Sequence, residues 1–147
     1  DQYDIEEYNN INMIGCSLGG LIAPYYICNG KYHIDKLCNM IGTPVFTTLE
    51  DEMFYKIYQH EDTISEGNVE QLKSIYRDIS PENKIDRLKN TKILFMNSKS
   101  DPYMDYNSIE NIVQYLPNAR LLELQQDYHG VVWDDFVTVM NFISEES

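Results

Sequence analysis

Three polar residues could carry chemistry together. Ser17 lies in Gly15-Cys16-Ser17-Leu18-Gly19, where an apolar run gives way to a helix-like run. Asp101 lies in MNSKSDPYMD and His129 in QQDYHGVVW. A serine hydroxyl is a poor nucleophile at neutral pH, so it needs a base, and the base needs a group to orient it. Histidine and aspartate supply those two roles, and the chemistry they would support is acyl transfer. Glycines on both sides of Ser17 suit a tight strand-to-helix turn in which side chains would clash. The first helical N–H groups would then face the site, with the Leu18 N–H as an oxyanion donor. Asp105, four residues after Asp101, is a rival orienter, and Asp101 before Pro102 could equally be a turn residue.

The elements needed to position these residues can be read from periodicity. INMIG at 11–15 reads as a buried strand, KLCNMIG at 36–42 as a second, TKILFMN at 91–97 as a third and ARLLELQ at 119–125 as a fourth. Helical spacing marks 18–29 through Leu18, Leu21, Ile22, Tyr25 and Tyr26. Pro24 should kink that helix or shift its start, and Asn29-Gly30 should close it with a left-handed glycine. Residues 45–88 read as helical, with Leu49, Met53 and Ile57 in one piece and Val69, Leu72, Ile75, Tyr76 and Ile79 in the next, parted at Ser65-Glu66-Gly67. Further helices are expected at 107–116 and 130–143, the last with Val131, Phe136, Val139, Met140 and Ile143 as its apolar stripe. Strands alternating with helices imply an α/β fold, a mostly parallel sheet of about four strands with flanking helices. Polar groups that follow strands in such sheets gather at the strands' carboxyl ends, where Ser17, Asp101 and His129 all fall.

Composition narrows the classes of function. The 147 residues suffice for one domain with a real core, and a formal charge of −13 disfavours nucleic acid as a partner. No apolar run approaches the roughly 18 residues of a membrane span. Cys16, Cys28 and Cys38 form no CxxC pair, so reduced, buried thiols are expected rather than a disulfide framework or a zinc site. Cys16 is read as a small buried hydrophobe, and the reduced thiols favour the cytoplasm. His33 and His60 read as surface residues. The acidic run at 50–52 reads as a solvated helix start. Phe54, Tyr55, Tyr58 and Tyr76 could line an acyl pocket or simply pack.

IGCSLGG, ILFMNSKSDPYMD and LLELQQDYHGVVWDDF together resemble the α/β-hydrolase family, closest to its lipase and esterase branches. The chain order Ser, Asp, His is the one that family uses. The resemblance implies a partial α/β-hydrolase fold with contiguous strand order. It divides the chain into the elbow strand, helix and following strand at 1–44, a helical cap-like insert at 45–88, and acid- and base-bearing elements at 89–147. It implies Ser17 as nucleophile, Asp101 and His129 as its partners, a small-molecule ester or lipid substrate, and neither cofactor nor metal. An acyltransferase of the homoserine-acetyltransferase type would use the same triad. The family's first four strands, and the loop that donates a second oxyanion N–H, have no counterpart here. The chain is therefore expected to be a fragment, weakly active or inactive as given, or a non-catalytic module that dimerises through an exposed first strand.

Overall fold

In the computed structural model, which describes residues 10–57 and 66–145, four strands form one wholly parallel sheet in the order β1-β2-β3-β4. The strands are β1 (Asn12–Cys16), β2 (Lys36–Met40), β3 (Lys92–Asn97) and β4 (Ala119–Glu123). Between them run α1 (Gly19–Asn29), α2 (Asp51–Ile57), α3 (Glu66–Ile79), the single turn α4 (Ile85–Leu88) and α5 (Tyr106–Val113), and α6 (Trp133–Ser144) closes the fold. Short 3-10 turns at Phe46–Thr48 and Pro81–Lys84 complete the 45–88 segment. The expected α/β architecture and contiguous strand order are therefore present. Tyr58, His60 and Ser65 fall outside the described residues.

Register explains the two-sided core. Ile14, Cys38 and Leu94 align across the sheet, as do Met13, Leu37 and Ile93. Successive side chains point to opposite faces. Leu37, Ile93 and Phe95 accordingly pack with Ala23, Cys28, Leu88 and Ile109 on the α1/α5 face. Cys38, Met40, Leu94 and Met96 pack with Val139 and Phe142 on the α6 face. β2 is buried at every position, as a central parallel strand covered on both faces should be.

β1 departs from its expected burial. It lies at the sheet edge, with Ile14 half exposed and Cys16 exposed, so Cys16 is not the buried hydrophobe its sequence position suggested. Only Gly15 in this strand is buried. By register, Asn12, Ile14 and Cys16 lie on the α6 face, whose cover is centred on β2 and β3. The α6 stripe differs too: Val139 and Phe142 are buried, whereas Phe136 and Met140 are exposed. In α3, Val69 is buried and Ile75 and Ile79 are exposed. Gly67 lies inside that helix rather than ahead of it. The helix α1 ends at Asn29 with Gly30 in extended geometry, φ −74°, not left-handed.

Pro24 neither ends nor shifts α1. Its ring nitrogen cannot donate to the Gly20 carbonyl four residues back. Asn39, fully buried in β2, supplies the missing donor: its Nδ2 reaches the Gly20 oxygen at 2.7 Å. The side chain thus ties β2 to the first turn of α1. Asn39→Ala is expected to cost about 2 kcal/mol by urea unfolding, because a buried carbonyl loses its partner. In a Pro24→Ala background the restored backbone N–H returns to that carbonyl, and the cost of Asn39→Ala should shrink by about 1 kcal/mol. Strictly additive losses would show that the two residues do not share this acceptor.

At the opposite end, buried Lys36 donates from Nζ to the carbonyls of Ile143 and Glu145, capping the C-terminus of α6. The Glu145 carboxylate bridges Lys92 and Arg120, which keeps it below the ordinary range. These contacts seat α6, and with it the loop that carries His129.

Candidate active site

Ser17 follows β1 directly and has φ 53°, a left-handed conformation that a non-glycine residue adopts only when its surroundings enforce it. The enforcing contacts are visible. Its N–H donates to the Met40 carbonyl at the end of β2 (3.0 Å), and its own carbonyl accepts from the Gly20 N–H (2.8 Å). Ile41, the residue after β2, is also left-handed, φ 42°, and its N–H donates to the Met96 carbonyl at 2.8 Å. Two strained residues therefore sit side by side at the carboxyl ends of adjacent strands. Leu18 caps α1, and the N–H groups of a first helical turn have no intrahelical acceptor.

Asp101 and His129 meet Ser17 across these strand ends. Ser17 Oγ lies 2.8 Å from His129 Nε2, and His129 Nδ1 lies 2.7 Å from Asp101 Oδ2. A carboxylate only accepts, so the Nδ1–H donates to Asp101 and leaves Nε2 free to accept from the Ser17 hydroxyl. The Asp101 side chain is fully buried and that of His129 is largely so. Asp101 Oδ1 accepts from the N–H groups of Tyr103 (2.8 Å) and Met104 (3.2 Å). Asp101 therefore both makes the turn and meets the histidine. Asp105 does not share that contact: it caps α5, accepting from the N–H groups of Asn107 and Ser108. Tyr103 packs edge-on against the imidazole, ring centroids 5.1 Å apart.

The loop before α6 is held independently. Gln126 Nε2 donates to Asp135 Oδ2 (2.6 Å), which also accepts from the Val132 N–H (2.8 Å). Ser98, just past β3, donates its hydroxyl to the Gln126 carbonyl. His129 is thus set by the β3 and α6 ends of the fold rather than by its own loop alone.

A cavity of about 210 Å³ adjoins Ser17 and His129, walled by Leu18, Leu21, Met53, Tyr103 and Met104. Of the aromatic residues considered for this lining, Phe54, Tyr55 and Tyr76 lie elsewhere. Phe54 is fully buried and meets Tyr76 edge-on at 5.0 Å, and Tyr55 is exposed. Sequence reasoning missed Met53, Tyr103 and Met104. The Asp101-Pro102 pair was the available signal for the last two, since an aspartate in such a turn accepts from the N–H groups two and three residues on. Met53 carried none, because its helical spacing fits plain packing equally well.

Burial pushes the Cys28 thiol up to about 11 and the Cys38 thiol up to about 12, so both rest protonated at neutral pH. Among the described residues no group of three or more His, Cys, Asp or Glu is placed to hold a metal ion. No helix among them is long and apolar enough to cross a membrane. His33, with its side chain largely exposed, sits beside Asp35.

No protein-family model and no curated protein matches the sequence. Solved structures do resemble the fold. A lipase-esterase related protein from Clostridium acetobutylicum aligns at TM-score 0.59 and 19% identity over 94% of this chain and 66% of its own. An enol-lactonase from Burkholderia xenovorans aligns at 0.61 and 14%, over 92% and 66%. An esterase from Exiguobacterium antarcticum aligns at 0.57 and 18%, over 94% and 66%. The chain thus spans slightly less than two thirds of each of these proteins. At such identities the likeness establishes the fold: four parallel strands and flanking helices that form part of an α/β-hydrolase fold.

Proposed function

We propose that the chain carries the catalytic residues of a serine hydrolase that cleaves carboxylic esters. The observation that carries the reading is the unbroken hydrogen-bonded line Ser17–His129–Asp101 at the strand carboxyl ends. Its similarity in fold to an esterase, a lipase-esterase related protein and a lactonase supports it.

In this mechanism Ser17 Oγ attacks the ester carbonyl carbon while its proton passes to His129 Nε2. The tetrahedral oxyanion is met by the Leu18 N–H at the start of α1. Asp101 holds the imidazole in the reactive tautomer and stabilises its charged form. The carbon–oxygen bond to the alcohol breaks, and the departing oxygen takes the proton from Nε2. Water then gives a proton to Nε2 and attacks the acyl-serine, and the acid leaves as Ser17 recovers its hydrogen.

Intact mass after incubation with a fluorophosphonate tests the assignment. One adduct on the unmodified chain, lost in Ser17→Ala, is the expected result. An adduct that persists in Ser17→Ala, or none on a chain that still melts cooperatively, would overturn it.

A further inference from the structure

Resting on Ser17 as the nucleophile, we infer that the site selects esters of short, uncharged acyl groups of about four to six carbons, and that Met53 sets the upper limit. Three features of the cavity beside Ser17 carry this: its size, its chemistry and what lies behind its wall.

The volume is about 210 Å³, below the roughly 300 Å³ at which pockets begin to take drug-sized ligands. At about 30 Å³ per non-hydrogen atom, taking water's share of liquid volume as the measure, it holds about seven such atoms. The reacting carbonyl and ester oxygen use three of these, which leaves room for about four more carbons. Apart from His129, the walls are Leu18, Leu21, Met53, Tyr103 and Met104, with no carboxylate or ammonium among them. A charged acyl group would lose its water there without gaining a partner.

The limit is set by what stands behind the methionines. Met53 and Met104 are buried within a packed cluster that includes Phe46, Phe54 and Val69. A longer chain would have to displace that core, which resists added volume. Past Tyr103 and Met104 lies a separate cavity of about 410 Å³, lined in part by Glu50, Lys99, Asp101 and Asp105. Its charges make it a poor refuge for an alkyl tail. The assignment to the acyl rather than the alcohol half follows from the reaction order. The alcohol must depart and water must enter while the acyl group stays bonded to Ser17, so the apolar space beside Ser17 suits the part that stays.

The test is kcat/KM on p-nitrophenyl esters from two to twelve carbons. The expected profile peaks at four to six and falls by about tenfold or more at ten, since a misfit methylene in an apolar pocket costs at least about tenfold. Met53→Ala removes three side-chain atoms and should move the peak about three carbons longer. Uncleavable methyl alkyl ketones of matching length, titrated by calorimetry into the unmodified chain, read the size limit without turnover and without relying on that variant's folding. Five-carbon ketones should bind at least about tenfold more tightly than eleven-carbon ones. Affinity or kcat/KM that is flat or still rising at the long end would overturn the inference, as would a folded Met53→Ala with an unmoved peak. Failure of the nucleophile assignment looks different: hydrolysis would survive Ser17→Ala while the ketone size limit stayed in place.

Discussion

Ser17→Ala lowers the rate of ester hydrolysis by the chain by about 10³- to 10⁴-fold, and adding His129→Ala to it lowers the rate by less than about tenfold more. Both numbers follow from the hydrogen-bonded line. A triad acts as one unit, so removing its nucleophile alone costs up to about 10⁶-fold in a complete site. The proposed mechanism uses one oxyanion donor, the Leu18 N–H, and a second donor would be worth about 10²- to 10³-fold, so Ser17→Ala subtracts from a correspondingly lower rate. Once the serine is gone, His129 has no proton to take, and its removal changes little. Asp101→Asn should cost up to about 10⁴-fold without disturbing the fold, because an amide can donate to Nδ1 and select the wrong tautomer. Single-turnover hydrolysis of a p-nitrophenyl ester, with thermal unfolding as the control for folding, measures all three variants. Losses that multiply between Ser17→Ala and His129→Ala would show that the two side chains act separately, and the 2.8 Å contact between them would then carry no catalytic meaning.

The sequence was most informative where periodicity and polarity agree. β3 is buried from Ile93 to Asn97, and its apolar run marked it as a strand to within one residue. Ser17, Asp101 and His129 each followed an apolar run, and that placement brought them to one end of the sheet. Where the sequence misled, a tertiary neighbour had decided the outcome. Cys16 is as apolar as Cys38, yet one is exposed at the sheet edge and the other fully buried beneath α6. Phe136 and Phe142 lie on the same helix, and only the second meets the sheet. The preference for Asp101 over Asp105 came through the family resemblance and not through local spacing, since both follow β3 and both make turns. The choice is made by the loop geometry, which turns Asp101 toward His129 and spends Asp105 on capping α5. Pro24 was expected to kink or shift α1 because Asn39, the donor that satisfies the Gly20 carbonyl in its place, lies on another element.

The pentapeptide glycines give the second large effect, and it falls unevenly. A methyl group on Gly15 would lie 2.5 Å from the Gly19 carbonyl oxygen and 2.9 Å from its carbon, both backbone atoms that cannot swing aside. At Gly19 a methyl group would meet nothing within 4 Å, so the second glycine of the motif is not required sterically, contrary to the expectation from the turn. The crowded position is Gly20, outside the motif, where a methyl group would lie 2.7 Å from the Gly42 Cα. Gly15→Ala and Gly20→Ala should therefore each destabilise the fold by about 2–4 kcal/mol, the upper range for overpacking where backbone has to move. Gly19→Ala should be neutral or stabilising by up to about 1 kcal/mol, because it removes a glycine from the first position of α1. Urea unfolding resolves this order. Activity should follow it and exaggerate it for Gly15→Ala, since any shift of Gly19 moves the helix start that presents the Leu18 N–H. A costly Gly19→Ala with a mild Gly20→Ala would reverse the argument. It would mean that the elbow is held by the backbone conformation of the motif, and not by how closely α1 approaches the end of β2.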